Sequence, residues 1–553
     1  MVNVNYLGNI RSTNLSGRGT PYKMLDHSIH GVLNTTVRLR GFQYPKHPGC
    51  DDVEAVAAVI QGQSEPMARL AFTLLPLLLV LEAAIVNADV DALATCKTIA
   101  SSISSASEVF YPLSVHYTED ISHWAWSSSE VAACSVEPGT AEDVSAILKI
   151  LDSTQTPFAI KGGGHASNPG FSSTEGVQIA MTRFSEVTYD EASQSAVVGA
   201  GLVWDDVYSA LAPHNVNVVG GRVSGVGVAG FSLGGGYSWL SNERGLTIDN
   251  TLAIELVLPN GTISTVSETS HPDLFFGLKG GFNNFGIVTK FTFKTFPQDQ
   301  VWGGTILITG DQLDKVVAAT SKFSAEVNDP KAAIITTFNA LAGLPGVTLL
   351  IFYNGPTPPA GIFDDFLAIP HFTKDISTRS FLSLVKSSPS SISPGFRAAF
   401  HTLSVLGYSD NFLAAVVNET KFWGARLDFD SNTFVSYDIE PFLPSIFSFA
   451  PASSSAYPPS RARGLLPTNV YFAWNLDVFD DTVRNAIATS VNHLEQLAAA
   501  EGQDITDAPL YGNYALASTP LERIYGDNLP KLQALKAQYD PQNVMGLTGG
   551  WKF

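Results

Sequence analysis

The sequence predicts an α+β chain in two main parts, and three observations carry that prediction. Residues 134–160 read strand, helix, strand, the start of a β-α-β unit. Two glycine clusters, 162–164 and 225–236, lie in the same block. From 301 onward the pattern changes to longer strand-like runs, helices and Pro/Ser-rich connectors, which predicts a separate domain on an antiparallel sheet covered by helices.

Residues 89–107 place apolar side chains at helical spacing. A short strand over 134–138 runs into Pro138-Gly139. A helix over 140–151 then repeats Val144, Ile147, Leu148 and Leu151, with Glu142 and Asp143 complementing its dipole in the first turn. Residues 158–160 form the next strand and lead into the first glycine cluster. Further strands are expected at 177–181, 187–189, 196–198 and 217–219, with a short helix over 204–211. Runs 252–258 and 263–266 flank Pro259-Asn260-Gly261, a hairpin signal. Residues 287–295 alternate as a half-buried strand, and Pro297 closes the block. Beyond it, strands are expected at 304–308, 333–338, 348–353 and 470–476, and helices at 312–327 and 481–500. The connectors 387–394 and 451–459 are rich in Pro and Ser. A last helix is expected over 520–539. These patterns set three divisions: 89–298, 299–505 and 506–553.

The chain has 553 residues, 45% hydrophobic and only 15% charged, which is a globular composition with ample core. Its net charge of −19 disfavours nucleic acid and anionic membranes as partners. Residues 67–88 (MARLAFTLLPLLLVLEAAIVNA) combine a basic start, an apolar stretch and a small-x-small end, the pattern of a secretory signal peptide. Pro76 and Glu82 argue against stable membrane insertion. On this reading Met67 is the true start and 1–66 is a non-native or disordered extension. The alternative is a genuine extension, with 67–86 an uncleaved anchor or a buried helix.

Export leaves Cys96 and Cys134 as an even pair, expected to form a disulfide rather than two buried thiols. Asn260 and Asn418 head glycosylation sequons. No Cys/His cluster has metal-ligand spacing, so no metal is expected. The expected product is a secreted, monomeric glycoprotein.

Lys161-Gly162-Gly163-Gly164-His165-Ala166 leaves the backbone bare beside a histidine, so a ligand can approach main-chain N–H groups closely. Gly225, Gly227 and Gly230 satisfy G-x-G-x-x-G, and Asp249 follows at dinucleotide-binding distance. That reading requires a helix beginning at those glycines, yet Gly234-Gly235-Gly236 falls where the helix would run, at about 1 kcal/mol per glycine. No Walker pattern occurs. Two bare loops and one histidine predict a large, extended cofactor held by backbone.

Together these residues resemble a known family. Ser135-Val136-Glu137-Pro138-Gly139-Thr140, the Lys161–Ala166 loop, Gly199-Ala200-Gly201, the stretch 226–236 and Asn283-Asn284-Phe285-Gly286-Ile287 match the flavin domain of the vanillyl-alcohol oxidase / p-cresol methylhydroxylase superfamily. Tyr511-Gly512-Asn513-Tyr514 and Tyr539-Asp540-Pro541 bring the chain closer to berberine-bridge-enzyme-like FAD-linked oxidoreductases, and the whole is similar to fungal members of secondary-metabolite pathways.

The resemblance implies a PCMH-type FAD-binding domain of two α/β subdomains, a substrate domain and a C-terminal segment returning to the first. It implies FAD held by Lys161, Gly162, Gly163, Gly164, Ala166, Gly225, Gly227, Gly230, Gly235, Ile287 and Asn513. It also implies a covalent bond from His165 to the flavin 8α-methyl; the plainer alternative is a loop histidine that only touches the cofactor. Val223 stands where doubly linked members carry cysteine, and no cysteine follows Cys134, so one link is the most this chain can make. Phe231 replaces a histidine common in relatives.

The implied activity is hydride abstraction from a small organic substrate at flavin N5, with O2 reduced to H2O2. Tyr514 matches the tyrosine over the flavin ring, as an orienting group, a base if its pKa is lowered, or plain packing. Tyr437, Asp438 and Glu440 are further base candidates. On the strand at 471–475, either Tyr471, Ala473 and Asn475 or Phe472 and Trp474 face the site. The alternatives are a carbohydrate oxidase of the same superfamily and a non-catalytic flavin-binding protein.

Overall fold

The computed structural model describes residues 91–387 and 395–553. The expectations for 1–66, for the signal peptide at 67–88 and for Cys50 lie outside the described residues.

A helix over 91–102 opens the described chain. Its Cys96 is bonded to Cys134, at a Cα–Cα distance of 6.2 Å. Cys134 begins the strand Cys134–Glu137, which runs parallel to Val177–Ala180; Phe158–Lys161 is parallel to the same neighbour, and Glu108–Phe110 adds an antiparallel edge. Parallel neighbours need a crossover, and the helix Ala141–Thr154 supplies one. The Thr140 side chain caps it by accepting from Asp143 N–H, and Val144, Ile147, Leu148 and Leu151 are buried.

A second, antiparallel sheet follows in the spatial order Val187–Asp190, Ser195–Gly199, Ile287–Lys294, Thr251–Val257, Ile263–Ser267. The expected strand 217–219 is reduced to Val216–Asn217, paired with Phe296–Pro297. Both sheets share one apolar core.

After Pro297 the chain passes into a seven-stranded antiparallel sheet. Its spatial order is Thr373–Arg379, Val301–Thr309, Leu344–Tyr353, Ala332–Leu341, Asn432–Ile439, Leu466–Trp474, Arg397–Val405. Helices Leu313–Glu326, Asp410–Arg426 and Asp480–Ala500 bury their apolar sides in a second core with one face of this sheet. Alternation sorts the strands between two faces. Val435, Tyr437 and Ile439 join Val470, Phe472 and Trp474 in the core that the helices share. Their sequence neighbours face the other way.

Three differences from the sequence reading have clear causes. The helix expected over 520–539 is broken into Glu522–Tyr525 and Leu529–Tyr539, because Gly526 adopts φ 43° and Pro530 restarts the helix in its first turn. A helix does form at the second glycine cluster, Val228–Gly234, but it stops at Gly235, with φ 135°. Asp249 is buried in an ion pair with Arg461 at 2.6 Å, so no carboxylate is left for a dinucleotide ribose. Finally, Asn260 lies on an exposed turn, whereas Asn418 sits inside the helix Asp410–Arg426 with Thr420 buried and bonded to Val416 O. The surface-loop setting of a glycosylation acceptor is thus present at Asn260 and absent at Asn418. No helix among the described residues is long and apolar enough to cross a membrane.

The disulfide closes a loop between residues 38 apart in sequence. Replacing Cys96 and Cys134 with Ala is expected to lower the unfolding free energy by roughly 4 kcal/mol, from unfolded-state entropy alone. Equilibrium chemical denaturation checks this, and an unchanged midpoint would contradict it.

Candidate active site

The two glycine clusters meet at one point. A Cβ on Gly163 would sit 2.4 Å from Gly227 Cα, and a Cβ on Gly227 would sit 2.5 Å from Gly163 N. No side chain fits at this crossing, so the loops run backbone against backbone. Val228 N–H donates to Leu202 O and Trp204 N–H to Val226 O, which holds the second loop in place. The first loop is held from outside, where Trp124 N–H donates to Gly164 O at 2.9 Å and Ser128 Oγ to Ala166 O at 2.7 Å.

A cavity of ≈ 410 Å³ opens between these loops and the free face of the seven-stranded sheet. Of the residues predicted to hold the cofactor, Gly162, Gly163, Gly164, His165, Ala166, Gly227, Gly230, Ile287 and Asn513 line it. Three do not. Lys161 ends its strand pointing away, with Nζ donating to Glu119 O at 2.6 Å beside the Asp120 carboxyl. Gly225 donates its N–H to Asp205 Oδ2 at 2.8 Å, which makes it a turn residue at φ 83°. Gly235 packs against Tyr457 and Tyr511.

His165 stacks on Trp124, with ring centroids 4.5 Å apart and 16° between planes. Its Nε2 is buried with no hydrogen-bond partner. Burial lowers its pKa to about 4, so the ring is neutral near pH 7. A bare double loop and an unpartnered imidazole nitrogen fit an extended, backbone-held cofactor. A Cβ on Gly230 would meet nothing within 4 Å, so that stretch faces open space.

The C-terminal tail closes the cavity. Asn513 Nδ2 donates to Phe231 O and to Tyr511 Oη, and Gly236 N–H donates to Tyr511 Oη. Tyr514 enters a buried network, donating to Glu440 Oε1 at 3.1 Å and accepting from Arg222 Nη2 at 3.0 Å. Arg222 and Glu440 are paired at 2.6 Å, 6% and 2% exposed. Burial drives the Tyr514 hydroxyl pKa well up, and the Glu440 charge adds to that. The lowered pKa that a tyrosine base would need is therefore absent, and Tyr514 is a neutral, oriented hydroxyl.

The opposite wall resolves the open face of the sheet. Phe434, Ser436 and Asp438 point into the cavity, as do Asn469 and Tyr471, whereas Phe472 and Trp474 lie in the core beneath the helices. Tyr437 is also turned to the helices, its hydroxyl 2.7 Å from Ser490 Oγ. Asp438 is partly buried and lines the cavity. Burial pushes its pKa up to about 7, hydrogen bonds from Thr337 and Asn469 and the Arg222 charge hold it down, and Glu440 raises it. It is the carboxyl poised to exchange a proton near neutrality.

Sequence reasoning missed Trp124, Arg222, Phe400 and Asn469. Trp124 and Phe400 reach the site from loops and strands with no motif, and Arg222 stands beside Val223 without a motif of its own.

Comparison with known proteins now gives the arrangement its family. Residues 132–267 match the family described as FAD binding domain, and 510–548 the family described as berberine and berberine like. The FAD-dependent monooxygenase drtC of Aspergillus calidoustus is 31% identical over 486 residues, covering 84% of this chain and 91% of that protein. An uncharacterized FAD-linked oxidoreductase of Arthroderma benhamiae is 40% identical over 295 residues, which is 52% of this chain and 59% of that protein. Among solved structures, glucooligosaccharide oxidase from Acremonium strictum, a 6-S-cysteinyl, 8α-N1-histidyl FAD protein, has the same fold. Its TM-score is 0.65 at 19% identity, over 82% of this chain and 97% of that one.

The fold and site are those of an FAD-dependent oxidoreductase. The chain belongs to the berberine-bridge-enzyme-like family of the vanillyl-alcohol oxidase / p-cresol methylhydroxylase superfamily.

Gly163→Ala forces the crossing loops apart, and the purified variant is expected to hold markedly less flavin per chain. The ratio of flavin to protein absorbance measures this. Full occupancy would show that the close approach is not needed.

Proposed function

We propose that this enzyme oxidises a small organic alcohol or amine of the secondary-metabolite kind, with a single covalent FAD on His165 and O2 as the final acceptor. The observation that carries the reading is the pairing of walls: bare loops and His165 on one side of the cavity, Asp438 on the other. Bound FAD supplies a two-electron acceptor that takes hydride at N5 and returns the electrons to O2, forming H2O2.

The chain's own part is positional and protic. Asp438, in its ionised form, takes the O–H or N–H proton as the neighbouring C–H bond breaks. Tyr514, held by Glu440 and Arg222, offers a fixed hydroxyl at the cavity wall. Its proton stays put, since it is hydrogen-bonded to Glu440 and burial opposes its loss. His165 supports a single link because its ring is neutral and Nε2 lacks a partner. Among the described residues both cysteines, Cys96 and Cys134, are joined in the disulfide, so neither is free for a second link through sulfur. The monooxygenase name of the Aspergillus calidoustus relative supports O2 as co-substrate.

Acid precipitation tests the link: flavin should stay with the wild-type pellet and leave with the supernatant in His165→Ala. Free flavin from the wild type would disprove the bond.

The base has its own test. Flavin reduction should accelerate as pH rises through about 7, because only the ionised carboxylate accepts a proton. Asp438→Asn should slow reduction by about 10²–10⁴-fold and flatten that profile. Stopped-flow absorbance across pH 5–9 reads both effects, and an unaltered profile would remove Asp438 from the reaction.

A further inference from the structure

The free face of the seven-stranded sheet carries more pattern than proton transfer needs. Thr348 pairs in register with Thr337, Thr337 with Asp438, and Asp438 with Asn469. All four line the cavity, so one polar row crosses four adjacent strands. Strands lie about 4.8 Å apart, which makes the row roughly 14 Å long.

Apolar side chains flank the row on each side, with Glu440, two residues beyond Asp438, among them on one side and Ser436 on the other. Ile335 and Leu350, a register pair, flank it on one side and line the cavity. On the other side Ser436 pairs with Tyr471, and Tyr471 with Phe400. The rings of Phe400 and Tyr471 are 5.0 Å apart, and Trp124 lies 5.2 Å from Phe400 in a near-parallel stack. A narrow polar strip between an aliphatic and an aromatic border suits a flat molecule with oxygens along one edge.

Charge narrows the class further. Arg222 is the one Lys or Arg on the cavity wall among the described residues, and Glu440 and Tyr514 already occupy it. The other ionisable groups there include two carboxyls, Asp438 and Glu440, and a histidine without charge near pH 7. An anionic substrate would find no free cation and would meet like charge.

Within the row the four groups differ. Thr337 and Asn469 spend hydrogen bonds on Asp438. Thr348 Oγ1 accepts from Asn339 Nδ2 at 3.2 Å, which leaves its O–H to donate. It stands two strands, or about 10 Å, from Asp438.

Resting on the reading above, we propose that the substrate is an uncharged, planar, oxygenated aromatic of two or more fused rings. The position oxidised lies beside Asp438, and Thr348 selects a second oxygen at the far end of the row.

Three naphthalene methanols test this. 6-(Hydroxymethyl)-2-naphthol carries a remote oxygen, 2-(hydroxymethyl)naphthalene carries none, and 6-(hydroxymethyl)-2-naphthoate carries a charge; maltose is the sugar arm. Binding is read from the visible spectrum of the bound flavin, and turnover separately from its anaerobic bleaching. The naphthol should bind about tenfold more tightly than the unsubstituted alcohol. Thr348→Val, similar in shape and compatible with a strand, should erase that ratio. A second variant, Thr348→Ser, restores the hydroxyl and should restore the ratio. The naphthoate should bind at least tenfold more weakly than the naphthol, and maltose should cause no spectral change.

A ratio untouched by Thr348→Val, a naphthoate that binds as well as the naphthol, or a preference for maltose would overturn the proposal. Binding in the predicted order without bleaching would leave recognition standing and sink the oxidation reading. Bleaching that ignores the order would do the reverse.

Discussion

The approach of Gly163 to Gly227 is the constraint on which the rest depends. Two backbone segments far apart in sequence touch where no Cβ fits. That contact brings Gly162 against Ala229 and leaves His165, at the end of its loop, lining the same cavity as the Ala229–Phe231 stretch. It also sets the height of the wall against which the tail lies, since Asn513 reaches Phe231 O and packs on Gly234. The loop hydrogen bonds from Trp124 and Ser128 hold the same arrangement from outside.

The opposite wall follows a different rule. A strand exposes its side chains alternately, so one sheet supplies two surfaces of different chemistry. On the face beneath the helices, Val435, Tyr437, Val470 and Phe472 pack as core. On the cavity face, Ser436, Asp438, Asn469 and Tyr471 are gathered from neighbouring strands. A shift of one residue in register would exchange Asp438 for Tyr437 and bury a carboxylate among the helices. The apolar pressure of the helix face thus turns Asp438 toward the cavity.

Between the walls, Arg222, Glu440 and Tyr514 form a buried unit. Removing one member of such an ion pair typically costs about 3–5 kcal/mol, because the other charge is left without a partner. Replacing both by apolar groups is often much less harmful. What the network supplies is orientation more than stability. It holds Tyr514 with its proton in place and leaves Asp438 as the group near neutrality.

Much of the first block was legible in the sequence by itself. The glycine clusters, the acidic first turn of the helix after Pro138-Gly139, the paired Cys96 and Cys134 and the Asn513-Tyr514 tail are local signals, written in residues close together or in composition. Gly234-Gly235-Gly236 marks where a helix must stop, and the short helix Val228–Gly234 ends there, at Gly235; its two turns are too local for glycine propensity to reveal. Lys161, Gly225 and Gly235 belong to the motifs but not to the cavity wall, because a motif also spends residues on turning its own backbone.

The substrate domain was different. One face of its sheet packs beneath the helices and the other lines a cavity of mixed apolar and polar side chains, so neither reads as a plain solvent face. Sequence could name Asp438, Glu440 and Tyr471 as candidates but could not say which way each points. Strand register and helix packing made that choice, by placing residues from four strands in one row. The sequence determined the cofactor class; the tertiary structure decided which side chains face the cavity, since side-chain direction on a sheet is set by what covers its other side.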